Sequence, residues 1–378
     1  MTSQPLRPSY GEGTLAEVMP SAAAVLGMPG VHDTLQMGHV LPEPRGVTVL
    51  LVDGLGWGAL RSHEEWVPKL GALGGREMSA TFPTTTPTSL ATLGTGRSPG
   101  EHGIVGAAFY LPENGHILHP LTWRDEPHPL AVQPDATILE RAQRHGLAVS
   151  SVSPRAYEHS GLTRAALRGG EYRGADSFGD RVAEVASAAR TEGSLTYAYW
   201  PDLDRIGHVH GVDSDAWREE LRHVESLVDR LLDVLPQDHV LVVTSDHGMV
   251  DCLRRVDLDA DPRFRHGVRY FAGEPRMRHV YARAGASEEV AEAWQSALGE
   301  GAWVLTREQA LEAGFFGEMI DEHIDRIGDV LALARDDVAL VSDEIDRTVS
   351  SLRGQHGSLT ADDLMIPLLM ATGRASRG

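Results

Sequence analysis

The chain has 378 residues, 42% of them hydrophobic and 23% charged, with a formal net charge of −20 at pH 7. That length and composition fit a globular protein with one large α/β domain and an insertion, or with two domains, and exclude a fibre, a repeat array or a disordered chain. So acidic a surface repels nucleic-acid polymers and anionic lipid, and an anionic substrate would need concentrated positive charge such as bound divalent cations.

The N-terminal MTSQPLRPSYGEG carries no charged stretch followed by an apolar core. No segment reaches the roughly 20 apolar residues of a membrane span. The single cysteine, Cys252, can form no internal disulfide. A cytoplasmic location with no membrane partner is therefore expected.

In chain order, apolar β-branched runs at Val47–Val52, Met78–Phe82, Ala148–Val152, Leu195–Trp200, Val240–Thr244 and Val330–Ala334 read as buried strands. The periodicity predicts helices over about Asp135–His145, about Asp180–Arg190, and Ala216–Leu235. In the last, Trp217, Leu221, Val224, Val228, Leu231 and Leu235 make one stripe and Pro236 is the stop. The alternation predicts an α/β fold with a mainly parallel sheet sandwiched by helices. Residues 251–350 differ: Arg-rich and polar, they mix a candidate strand, His279–Arg283, with short helices at Glu288–Leu298 and Arg307–Ala313. They read as a small α+β cap insertion, with 1–250 the first part of the core and 351–378 its return.

The residues that follow the strands carry the chemistry. Val47–Val52 ends in Asp53-Gly54, and Met78–Phe82 runs into Pro83-Thr84-Thr85-Thr86-Pro87. Leu195–Trp200 leads to Asp202, Asp204 and His208, and Val240–Thr244 ends in Ser245-Asp246-His247-Gly248. Ligands of open α/β sheets bind beyond the carboxyl ends of the strands, so these groups converge on one edge. Gln355-His356-Gly357 could add another imidazole. Singly, each Asp is a plausible turn or cap residue and each His a plausible surface residue. Their coincidence at one sheet edge favours a divalent metal site, with zinc suited to mixed Asp/His ligation and manganese or iron tolerated. Thr86 stands at a helix N-cap position with Pro87 following, so free N–H groups and partial positive charge would face a phosphate there. A metal would lower the pKa of a threonine hydroxyl enough for attack.

These segments resemble the alkaline phosphatase superfamily, specifically its nucleotide pyrophosphatase/phosphodiesterase branch. The resemblance rests on VDG at 52–54, FPTTTPTSLATLGTGRSPGEHGIVG at 82–106, DRIGHVHG at 204–211, TSDHGM at 244–249 and QHG at 355–357. It implies an alkaline phosphatase-like core and two divalent metals. Asp53, Thr86, Asp246 and His247 would surround one metal, and Asp204, His208 and His356 the other. It selects Thr86 as nucleophile over its neighbours, through a phosphothreonine intermediate, and places Tyr199 near the phosphate. The family's asparagine three residues after the nucleophile is Ser89 here, a shorter candidate donor to the phosphate. The sulfatase pattern is absent.

The function so implied is a metal-dependent phosphodiesterase or nucleotide pyrophosphatase acting on a small phosphate compound such as a nucleotide. A phosphomonoesterase or phosphonate (C–P) hydrolase using the same metals is the alternative, and a non-catalytic nucleotide sensor ranks below both. A monoesterase needs extra cations, for which Arg276, Arg278 and His279 are candidates, although a structural role is the simpler reading of each. His210 reads as solvent-facing, and Arg326 and Asp329 as a pair fixing a loop.

Overall fold

The computed structural model describes residues 4–374. The run Gly46–Val52, buried along its whole length, is the middle strand of a seven-stranded sheet and pairs in parallel with Ser194–Trp200 on one side and His239–Thr244 on the other. Across the sheet the strands run Gly75–Ser79, Met365–Thr372, His239–Thr244, Gly46–Val52, Ser194–Trp200, Ala148–Ser153 and Glu171–Gly174. Met365–Thr372 alone is antiparallel to its neighbours. Alternate side chains of the middle strand feed two cores. Val47, Val49 and Leu51 join an apolar cluster on one face, whereas Leu50 and Val52 join the cluster on the other.

Helix Asp215–Val234 covers the second of these faces with Trp217, Leu221, Val224, Val228 and Leu231 buried, each side chain contributing roughly 1.5–3 kcal/mol by leaving water. Ser214 caps it by accepting from the Trp217 N–H, and the chain turns extended at Leu235 ahead of Pro236. Helices Ile138–His145 and Phe178–Ala188 start with capping boxes at Thr137 and Ser177, a few residues later than or close to the periodicity estimate.

Two sequence expectations shift. The strand expected at Met78–Phe82 is Gly75–Ser79, because the pairing with Met365–Leu369 runs from Gly75 to Ser79 and stops there. Val330–Ala334 lies not in the main sheet but inside a second, antiparallel sheet ordered Val268–Glu274, Met277–Ala282, Val330–Ala334, Ala302–Thr306. This sheet has its own core, in which Phe264, Phe271 and Trp294 pack edge to face under helix Ser287–Leu298. The chain returns through Gly354–Gln355, which pairs with Val250–Asp251, and then enters the main sheet. Of the segments 1–250 and 351–378, residues 1–3 and 375–378 lie outside the described residues. No helix among the described residues is long and apolar enough to cross a membrane.

Candidate metal centre

Asp53 follows the middle strand and Asp246–His247 follow its neighbour, so adjacent parallel strands deliver them side by side. Gly54 adopts φ +74, and its N–H and that of His247 each donate to Asp246 Oδ1 at 3.1 Å. Asp246 Oδ2 is left without a partner. Asp53 Oδ2 accepts a short hydrogen bond from the Tyr199 hydroxyl, while its Oδ1 has no partner. His247 Nδ1–H donates to the Gly248 carbonyl at 2.9 Å, which fixes the tautomer and leaves the Nε2 lone pair facing the carboxylates. That nitrogen lies 3.5 Å from Asp53 Oδ1, 3.4 Å from Asp246 Oδ2 and 3.2 Å from Thr86 Oγ1.

Asp204 and His208 lie one turn apart on helix Asp202–His210, with His208 Nε2 3.4 Å from Asp204 Oδ2. His356 brings its Nε2 to 3.9 Å from Asp204 Oδ1, an oxygen without a hydrogen-bond partner. Both imidazoles are oriented through Nδ1. His208 donates to the Gly354 carbonyl at 2.7 Å and His356 to the Thr84 carbonyl at 2.9 Å. The His356 ring stacks on His247 at 3.7 Å between centroids, so the two ligand groups adjoin. Three histidines held by backbone carbonyls, with unpartnered carboxylate oxygens opposite, make two donor sets for divalent cations.

The electrostatics agree. Burial, followed by the nearby Asp246 and Asp204 charges, pushes the Asp53 carboxyl well above the ordinary carboxylate range. Burial likewise raises Asp204 and drives the His356 imidazole far below its usual value, with His247 and His208 adding to the effect on His356. Buried carboxylates packed this closely call for cationic compensation; a divalent ion would bring both carboxyl groups back down and would suit the neutral imidazole of His356.

Thr86 is the first residue of helix Thr86–Thr95, and the N-cap is Thr85 (φ −143, ψ 144) rather than Thr86. The Thr85 side chain caps nothing and instead donates to Glu274 Oε2 at 3.2 Å. Gly94 lets the helix touch its neighbour Gly161–Ala166, since a Cβ there would stand 1.8 Å from the Ala166 carbonyl oxygen. Ser89, the sequence candidate for a phosphate donor, is fully buried and donates to the Asp246 carbonyl at 2.8 Å. Its hydroxyl ties the helix to the metal-ligand loop and does not line the cavity described next.

A cavity of about 500 Å³ opens beside Asp53, Thr86, Asp204 and His208. Much of its lining is apolar and aromatic, formed by Leu90, Leu162, Leu167, Tyr157, Tyr197 and Tyr199. Among the described residues Arg205 is the only arginine or lysine lining it, and Asp202 holds that guanidinium at 2.8 Å. Two clefts of about 660 Å³ lie elsewhere, one beside His63 and Trp66 and one beside Arg45 and Glu192, and neither contains any of these ligands.

The other candidates belong to neither donor set. Asp202 lines the cavity but is engaged with Arg205, and His210 is exposed. Arg276 is fully buried, paired with Asp363 at 2.6 and 3.1 Å, and also donates to the Asp336 and Val338 carbonyls. Arg278, also buried, holds Asp346 and the Leu340 carbonyl. His279 donates to the Val105 carbonyl from Nε2 and accepts the Gly328 N–H at Nδ1. All three brace the second sheet. Arg326 pairs with Glu113 rather than with Asp329, because Asp329 is taken by Arg307 and the Ala282 N–H. Sequence reasoning missed the apolar wall, which comes from non-adjacent segments, and the buried Glu274, which no local pattern marks.

The family model described as "Type I phosphodiesterase / nucleotide pyrophosphatase" matches residues 47–359. The chain is 28% identical over 210 residues to ectonucleotide pyrophosphatase/phosphodiesterase 1 of Saccharomyces cerevisiae, covering 46% of this chain and 28% of that protein. It is 25% identical over 213 residues to human ectonucleotide pyrophosphatase/phosphodiesterase family member 5, covering 54% of this chain and 43% of the relative. The match thus spans less than half the length of either relative. Among solved structures, murine ectonucleotide pyrophosphatase/phosphodiesterase 5 superposes with a TM-score of 0.68 at 22% identity, covering 86% of this chain and 87% of that chain. Its inactive threonine-to-alanine form is in complex with AMP. Phosphonoacetate hydrolase of Sinorhizobium meliloti superposes with a TM-score of 0.66 at 17% identity, covering 87% of this chain and 90% of that one. At these identities the structural likeness is one of fold. The family match runs from the strand bearing Asp53 to the residues just beyond His356, and on that extent the chain belongs to the type I phosphodiesterase / nucleotide pyrophosphatase family.

Proposed function

We propose that this protein is a two-metal phosphodiesterase with Thr86 as its nucleophile. The observation that carries the reading is the set of buried, unpartnered carboxylate oxygens on Asp53, Asp204 and Asp246 that flank Thr86 together with three pre-oriented imidazoles. Asp53, Thr86, Asp246 and His247 would hold one cation, and Asp204, His208 and His356 the other. Divalent cations there, zinc being best matched to the donors and manganese or iron tolerated, would neutralise the phosphate and favour deprotonation of a hydroxyl.

Thr86 Oγ1 forms a bond to phosphorus as the bond to the departing alcohol breaks, giving a phosphothreonine. Water then attacks that phosphorus and the bond to Thr86 breaks, which releases a phosphomonoester and restores the hydroxyl. The first turn of helix Thr86–Thr95 offers backbone N–H groups to the equatorial oxygens. The inactive threonine-to-alanine form of the murine neighbour supports a threonine in this role.

The cavity supports a diester over a monoester. Its wall gives an organic ester group an apolar, aromatic surface, and the Arg205 guanidinium that lines it is already paired with Asp202. A nucleotide fits that chemistry, as in the AMP complex of the neighbour. The test compares hydrolysis of bis-nitrophenyl phosphate, nitrophenyl phosphate, a nucleotide nitrophenyl ester and phosphonoacetate, with metal content measured on the same preparation. The diesters are expected to turn over fastest in protein carrying two metals per chain. Faster turnover of the monoester or of phosphonoacetate would establish the alternative reading, and full activity in metal-free protein would overturn both.

A further inference from the structure

The tight turn Glu274–Met277 between the first two strands of the second sheet reaches into the metal centre. Glu274 ends its strand and is 7% exposed. Its Oε2 accepts from the Thr85 hydroxyl at 3.2 Å and lies 3.5 Å from His356 Nδ1, longer than a normal hydrogen bond. Its Oε1 has no partner. The surroundings are shaped to admit it, since a Cβ on Gly357, whose φ is +132, would come within 2.9 Å of Oε1. The turn is clamped from the other side, where Arg276 holds Asp363 and the Asp363 carbonyl accepts the Gly248 N–H beside His247.

A buried acid with an unpartnered oxygen costs free energy. What the carboxyl group does touch is the segment before the nucleophile and the outer nitrogen of a metal-ligand candidate. Carboxyl groups on the outer nitrogen of a ligating imidazole fix ring orientation and strengthen the ligand.

We infer that Glu274 is a positioning residue for the Asp204/His208/His356 cation site, holding the His356 ring and the Thr84–Thr85 segment in register from the second sheet. The inference rests on the two-metal reading above and deepens it. Thr84 links the two contacts, because its carbonyl accepts from His356 Nδ1 and its hydroxyl accepts the Gly357 N–H at 3.0 Å. Loss of the Glu274 carboxyl would leave the ring tethered by the Thr84 carbonyl alone, on a segment no longer held at Thr85.

The test titrates metal-stripped full-length protein with zinc by calorimetry, for wild type, Glu274→Ala, Glu274→Gln and His356→Ala. In Glu274→Ala, the equivalent that His356→Ala removes is expected to bind about 10–100-fold more weakly, with the other equivalent unchanged. Glu274→Gln keeps an oxygen that accepts from Thr85 and should recover most of that loss. Two wild-type affinities in Glu274→Ala would overturn the inference, as would equal weakening of both equivalents in the Ala and Gln variants. If the Ala variant does not fold, Glu274→Met fills the space without an acceptor and carries the same expectations. Wild-type protein that binds no zinc would sink the two-metal reading itself, a result separable from failure of Glu274 alone.

Discussion

Replacing Arg276 by methionine separates a substrate-binding arginine from a structural one. The wild-type guanidinium is fully buried, makes a bidentate pair with Asp363 and satisfies two backbone carbonyls. Methionine fills much of the volume but leaves the Asp363 carboxylate buried and uncompensated, which costs about 3–5 kcal/mol. With an unfolding entropy of about 2.1 cal/mol/K per residue, a loss of about 4 kcal/mol lowers the melting midpoint by roughly 5 °C for a chain of this length. Calorimetry or a circular-dichroism melt measures this directly. Adding Asp363→Asn to Arg276→Met should recover part of the loss, because the orphaned charge is then gone. Steady-state kinetics at a temperature where the variant is folded should show KM for a nitrophenyl diester near wild type, since Arg276 does not line the substrate cavity. A melting midpoint within about 1 °C of wild type together with a raised KM would refute this reasoning and make Arg276 a substrate contact.

Thr86→Ala should bind two metals yet lose diester turnover by several orders of magnitude; substantial residual turnover at full metal content would remove Thr86 as nucleophile. Stability should fall under mild acid. Burial depresses the His239 and His279 imidazoles to about 4, so the unfolded chain takes up protons near pH 6.5 that the folded chain refuses. Their stabilising contribution is intact above about pH 6.5 and is lost as pH falls toward 4, at about 2 kcal/mol per histidine by pH 5. Urea melts of metal-stripped protein between pH 7.5 and 5 measure this, and a flat profile would contradict it. Gly94→Ala should destabilise by at least about 1–3 kcal/mol, because the added methyl group meets the Ala166 carbonyl; a wild-type urea midpoint would show that the two helices part easily.

Much of the main sheet is legible in the sequence because its strands, buried on both faces, are continuous apolar runs. The positions of Asp53, Asp246 and His247 are legible for the same reason, as each stands within three residues of the end of such a run. Asp204 and His208 are legible as a pair from their four-residue spacing on one helix. Other features depend on tertiary partners. Met365–Thr372 contains Pro367, which argues against a strand inside a sheet. The structure accommodates it because that position pairs with Glu77 on one side only, and pairing with His239–Thr244 begins at Leu369. The direction of the Ser89 hydroxyl depends on a carbonyl 157 residues away, and the burial of Arg276 on an aspartate 87 residues away. Glu274 follows the same rule: its partners, Thr85 and His356, come from opposite ends of the chain.

Met365–Thr372 has a further consequence, for the order in which the molecule can be assembled. It is the strand that joins Gly75–Ser79 to the rest of the main sheet, and it flanks the strand that delivers Asp246 and His247. A nascent chain emerging from the ribosome could fold the parallel strands from Gly46 to Thr244 among themselves, yet the edge next to Asp246 and His247 would stay open until residues near 372 arrived. Contacts of such long sequence separation form late and slowly. The catalytic centre would therefore be completed only after the second sheet has been synthesised, and a chain stopped short of Met365 would expose an unpaired strand edge beside a half-built site.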